Sequence, residues 1–173
     1  MNLRTSLFLV AVVALTACAP APRRCDLSQT QPVTFSSAQA PDIVEARAVG
    51  PNCAHAVALL TLRGADGAVH WAWAAPLYPT FGDAFAPRGD APTREEVSAF
   101  LTRWAALTPA RTSAAPAWRE EVETPLPRAL YDDIRARDAP MLCLLSGVAR
   151  ETCLYWESGA AAASEYYRRD APP

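Results

Sequence analysis

Four cysteines, Cys25, Cys53, Cys143 and Cys153, fall as one pair near the start of the chain and one near its end, and they limit the folds open to it. A basic residue, Arg4, precedes an unbroken apolar stretch from Leu7 to Leu15 and then small residues, which is the order of an export leader. Such a leader takes a chain to a compartment where disulfides form and persist. An even set of thiols there implies two bridges, and four cysteines permit three pairings. Met141 to Ser146 and Glu151 to Glu157 read as two strands around Gly147-Val148-Ala149, with positions 143 and 153 equidistant from Val148. A hairpin of that symmetry sets the thiols of Cys143 and Cys153 directly opposite each other. Cys25 then pairs with Cys53, closing the longer loop and contributing more under the loop-entropy account. There is no CxxC, and Cys53-Ala54-His55 is the one close Cys–His pair. Neither a metal site nor a cofactor is expected.

Removing residues 1–17 from the 173 leaves 156, a length suited to one domain with its own core. The expected division is a leader at 1–17, a tether at 18–24 and a single globular domain at 25–173. Val33 to Ser37 is a possible first strand. Asp42 to Val49 is a better one, with Val44, Ala46 and Ala48 on one face and Glu45 and Arg47 on the other. Ala56 to Arg63 and Ala68 to Ala74 flank Gly64-Ala65-Asp66-Gly67 and form a hairpin. Parity across that turn puts Leu60 and Leu62 on the face of Val69, Trp71 and Trp73, and puts Thr61, Arg63 and His70 on the other. Thr93-Arg94-Glu95-Glu96 has the form of a capping box and starts a helix running to Leu107, whose apolar stripe is Val97, Phe100, Leu101, Trp104 and Ala105. A shorter helix is expected from Arg128 to Arg137, with Leu130 and Ile134 inward, and Pro140 ends it. From Gly159 onward the residues fit a helix or an edge strand. The fold class expected is α+β: an antiparallel sheet of about five strands, one or two helices on a face, and disulfides as staples.

All 16 basic residues are arginine, against 18 acidic residues. The absence of lysine rules out Schiff-base chemistry, Ser-Lys dyads and the P-loop lysine. The only adjacent basic pairs are Arg23-Arg24 and Arg168-Arg169, so no clustered basic face for nucleic acid is expected. Arg23-Arg24 is placed instead to meet anionic lipid headgroups.

The leader ends in Leu15-Thr16-Ala17-Cys18, and its apolar stretch is too short to span a bilayer as a helix. This ending resembles the lipobox of bacterial lipoproteins, in which the cysteine is diacylated and becomes the new N-terminus. The resemblance implies lipidation at Cys18, an envelope location facing the periplasm, and the bilayer as first partner. Ala19 stands where an aspartate retains many such proteins in the inner membrane, so the outer membrane is favoured. Residues 19–24 reach only about 20 Å when fully extended, which holds the domain close to its membrane.

GxSxG, HExxH and GxGxxG after a strand are all absent. His70 or His55 could enter a Ser-His-Asp set only through the tertiary fold, which leaves a periplasmic hydrolase using His70 as one alternative. Ser146-Gly147, Tyr155-Trp156 and Ser158-Gly159 are similar to the Ser-Gly and Trp-x-Lys-Gly elements of membrane-bound lysozyme inhibitors, with Ser158 standing in place of the lysine. The segment from Ala75 to Pro92 is long for a connection and carries four prolines with Tyr78, Phe81 and Phe85. Its rings either fold back over the open sheet face or present a binding surface. Because proline stiffening lowers the ordering entropy of binding, Tyr78, Phe81 and Phe85 are the candidate contact residues of a non-catalytic interaction or structural lipoprotein. Trp118, in the connection 108–127, is expected to plug a gap in the core. The envelope partner is a protein or a glycan.

Overall fold

The computed structural model describes residues 24–85 and 91–171. The leader, Cys18 and the tether up to Arg23 lie outside the described residues. In chain order the elements are β1 (Cys25–Val33), β2 (Asp42–Gly50), β3 (Val57–Arg63), β4 (Val69–Pro76), α1 (Leu77–Phe85), α2 (Arg94–Ala105), β5 (Pro109–Arg111), α3 (Arg128–Arg137), β6 (Pro140–Gly147), β7 (Arg150–Glu157) and β8 (Ala162–Asp170). The mixture of antiparallel sheet and helix with two disulfides matches the expected class. The single sheet of about five strands does not: among the described residues there are two antiparallel sheets of four, ordered β1-β2-β3-β4 and β5-β6-β7-β8, and three α-helices. Every strand pairs with its neighbour in sequence, and α1 and α2 carry the chain from the end of one sheet to the start of the next.

The strand at the start is not Val33 to Ser37 but β1, which pairs with β2 from Cys25↔Gly50 to Val33↔Asp42. It gave no apolar alternation because its inward positions include Gln29 and Gln31, and Pro32 is tolerated because β1 is an edge. On the inner face of this first sheet, rows run Leu27–Ala48–Ala58–Ala75 and Gln29–Ala46–Leu60–Trp73. Alanines along these rows leave room for α2, which lies over β1 and β2. The helix starts as expected, with Thr93 Oγ1 accepting from the Glu96 amide at 3.2 Å and the Glu96 carboxylate accepting from the Thr93 amide at 2.8 Å. Its whole apolar stripe is buried. It stops at Ala105, where the Trp104 indole N–H donates to the Leu145 carbonyl at 2.9 Å and ties it to β6.

One core fills the space between the sheets and includes Val44, Leu60, Leu62, Phe81, Leu101, Leu142, Leu144 and Leu154. A second lies on the far side of the second sheet under α3, with Tyr131, Ile134, Met141, Tyr155, Tyr166 and Tyr167. Leu130 does not join it and stands 40% exposed, because α3 is turned to bury Tyr131 beside Ile134. Trp118 packs against this second core, under the guanidinium of Arg128. Burial pushes the phenols of Tyr131, Tyr155, Tyr166 and Tyr167 above the ordinary value, Tyr166 furthest. A raised folded-state pKa stabilises the fold at every pH below about 10 and gives that stability up as pH rises beyond it. Unfolding free energy is therefore expected to fall above pH 10. Absorbance at 295 nm should show Tyr131, Tyr155, Tyr166 and Tyr167 ionising only as the protein opens.

Candidate functional site

The segment expected to be an aromatic loop is in large part α1. Leu77, Phe81 and Phe85 recur at i, i+4 and i+8, so one helix face carries all three, and all are buried. Pro79 falls in the first turn, where the missing N–H is no loss. Phe81 contacts the rings of Trp73, Phe100 and Trp104 at centroid distances of 5.8, 5.0 and 5.4 Å, and Phe85 meets Phe100 at 4.6 Å. Phe81 and Phe85 thus cover the sheet and are core, not contact surface. Tyr78 is half-buried. The helical spacing was legible in the sequence, but four prolines masked it.

His70 is also displaced from its expected place. The β3–β4 register shifts between Leu62 and Arg63: Leu62 pairs with Trp71, but Arg63 pairs with Val69. The extra residue is His70, and the bulge reverses parity beyond it. Trp71 and Trp73 keep the inner face, whereas Val69 is 52% exposed and the His70 side chain is only 10% exposed. The ring stacks edge-on to Trp156 at 4.8 Å, and its Nε2 lies 3.6 Å from Asp42 Oδ1. A Cβ on Gly64 would come within 2.4 Å of that nitrogen, so only glycine admits the ring here.

Asp42 is fully buried. Its Oδ2 accepts from the Phe35 and Ser36 amides at 3.1 and 2.6 Å, and its Oδ1 accepts from Ser36 Oγ at 2.6 Å. An acid, a histidine and a hydroxyl are thus brought together, but the carboxylate stands between the other two. A relay needs the imidazole between nucleophile and acid. In this arrangement Ser36 Oγ is held by the carboxylate, and the cluster fastens the β1–β2 loop to β4 and to Trp156 of the second sheet. His55 is elsewhere, exposed beside Asn52.

Both disulfides are present: Cys25–Cys53, and Cys143–Cys153 joining directly paired positions of β6 and β7. Glu151 lies near the second, but sulfurs bonded to each other offer no thiolate to a metal. The two Ser-Gly pairs are not brought together. Ser146 is at the β6–β7 turn and Ser158 follows the other end of β7, on the order of 25 Å away at strand rise.

Among the described residues, no layer lies over the outer face of the first sheet. Rows across it read Asp26–Val49–Val57–Pro76, Ser28–Arg47–Leu59–Ala74, Thr30–Glu45–Thr61–Ala72 and Pro32–Ile43–Arg63–Val69. Ile43, Val49, Val57 and Val69 are all exposed there, out of six large exposed apolar side chains among the described residues. Arg47 pairs with Asp26 at 3.3 Å, and both Arg47 and Arg63 approach Glu45. A shallow depression of about 330 Å³ lies between these charges, Leu59, Thr61 and Ala72. A second cleft, of about 380 Å³, runs from Arg103 and Leu107 at the end of α2 to Met141, Glu151 and Arg169. Comparison with protein families, with curated proteins and with solved structures found no match for this chain.

Proposed function

We propose that this chain is a bacterial envelope lipoprotein, anchored through diacylated Cys18 in a membrane facing the periplasm, the outer membrane favoured, and that its role is a non-catalytic one of contact or structure. The observation that supports a contact role is the bare outer face of the first sheet. Four of the six large exposed apolar side chains among the described residues lie on it, Val49 and Val57 in the row at one end and Ile43 and Val69 in the row at the other, and the compensated charges between them would orient a partner. This face takes over the role first assigned to Tyr78, Phe81 and Phe85. The two bridges suit an oxidising compartment.

Cys18→Ser is expected to move the protein from the membrane fraction to the soluble periplasmic fraction, read by fractionation and by loss of lipid mass on the N-terminal peptide. Persistence in the membrane fraction would overturn the anchor. For the contact role, cross-linking in intact cells followed by mass spectrometry should show cross-links on β2 and β3 that disappear in Leu59→Glu/Ala72→Glu. Unchanged cross-links in a folded double variant would remove the sheet face from consideration.

A further inference from the structure

We infer that the end of the first sheet holding Cys25 is the face laid against the bilayer, with Val49, Pro51, Val57 and Pro76 at headgroup depth and Arg24 beside the lipid phosphates. The inference rests on the lipid anchor at Cys18. Six chain steps separate Cys18 from Arg24, and they span at most about 20 Å. The point of attachment is firmly part of the domain: Cys25 is fully buried and bridged to Cys53, and the Arg94 guanidinium donates to the Arg24 carbonyl. At this same end β1 begins, β2 ends, β3 begins and β4 ends. The Gly64–Gly67 hairpin lies at the other end of β3, seven residues away, or about 23 Å farther from the anchor.

The chemistry of the near end suits an interface of lipid headgroups. Val49 and Val57 are register partners, 37% and 41% exposed, and Val57 pairs in turn with the exposed Pro76. Pro51 is exposed beside them. Arg24, Cys25, Asp26, Val49, Gly50 and Pro51 line a depression of about 390 Å³, large enough for a phosphate headgroup. The charge of Asp26, the one carboxylate among the described residues lining this depression, is compensated by Arg47. Small exposed apolar groups around an arginine give shallow seating, and the single lipid chain site needs such a second contact to hold one orientation.

The test is amide hydrogen exchange on the full-length lipidated protein in vesicles of phosphatidylethanolamine and phosphatidylglycerol, against Cys18→Ser free in solution. Peptides covering residues 51–57 should exchange more slowly on the vesicle, on the order of tenfold, while the 64–68 turn is unchanged. Val49→Glu/Val57→Glu should abolish that protection with lipid still attached and the fold retained. If the N-terminal peptide carries no lipid, the anchor reading fails and this inference with it. If lipid is present but 51–57 is unprotected, or protection appears at 64–68 instead, only the orientation is overturned.

Discussion

Phe81→Ala is expected to lower the unfolding free energy by about 3–5 kcal/mol, measured as a fall in the urea midpoint of the oxidised protein. Phe81 is fully buried, and its ring joins α1 to three aromatic neighbours on two other elements, Trp73 on β4 and Phe100 and Trp104 on α2. Removing it leaves a void that rings held by their own neighbours cannot collapse into. Because Trp104 is also hydrogen-bonded to the Leu145 carbonyl, the loss reaches the junction with the second sheet. Tyr78→Ala, on the half-exposed side of α1, should cost less than about 1 kcal/mol. Equal small effects for both would mean that α1 is peripheral and that the rings are free to serve as a surface.

What the sequence made legible follows from local periodicity. The β2, β3 and β4 strands, the capped helix from Thr93 and the Cys143–Cys153 pairing each depend on residues within a few positions of one another, and the hairpin about Val148 needed only its symmetry. Three features were hidden for physical reasons. β1 is held by its ladder to β2 and by the Cys25 bridge, while Gln29 and Gln31 interrupt the apolar row of its inward face. α1 carries its stripe at 77, 81 and 85 in a segment where Pro79 and the flanking prolines at 76, 87 and 92 suggest a loop. The bulge at His70 is a tertiary choice: two-residue alternation would send the imidazole to solvent, whereas the buried carboxylate of Asp42, from a strand two places away, and the ring of Trp156 meet it on the inside. The aromatic residues of α1 are conspicuous in the sequence yet Phe81 and Phe85 are buried, whereas the outer face of the first sheet exposes valine and isoleucine among ordinary surface charges.

Asp42→Ala should destabilise the protein by about 2–5 kcal/mol, an effect comparable to deleting Phe81 and caused by something different. The carboxylate is fully buried and accepts from the Phe35 amide, the Ser36 amide and the Ser36 hydroxyl. With alanine the Phe35 amide remains buried without an acceptor, and each such group costs about 1–3 kcal/mol. Phe35 and His70 both pack on Trp156, so slackening of the 34–41 loop loosens the contact between the sheets as well. Asp42→Asn is the informative control. Its one amide oxygen can accept from at most part of the set, and its NH₂ would face donors, so it should recover less than half of the lost stability. Ser36→Ala removes only one hydroxyl bond and should cost about 1 kcal/mol. The measurement is urea unfolding followed by tryptophan fluorescence, because Trp156 sits on the cluster. A stable Asp42→Ala protein, within about 0.5 kcal/mol of wild type, would show that the carboxylate is not a structural tie and would return the Ser36, Asp42 and His70 grouping to consideration as a site of chemistry.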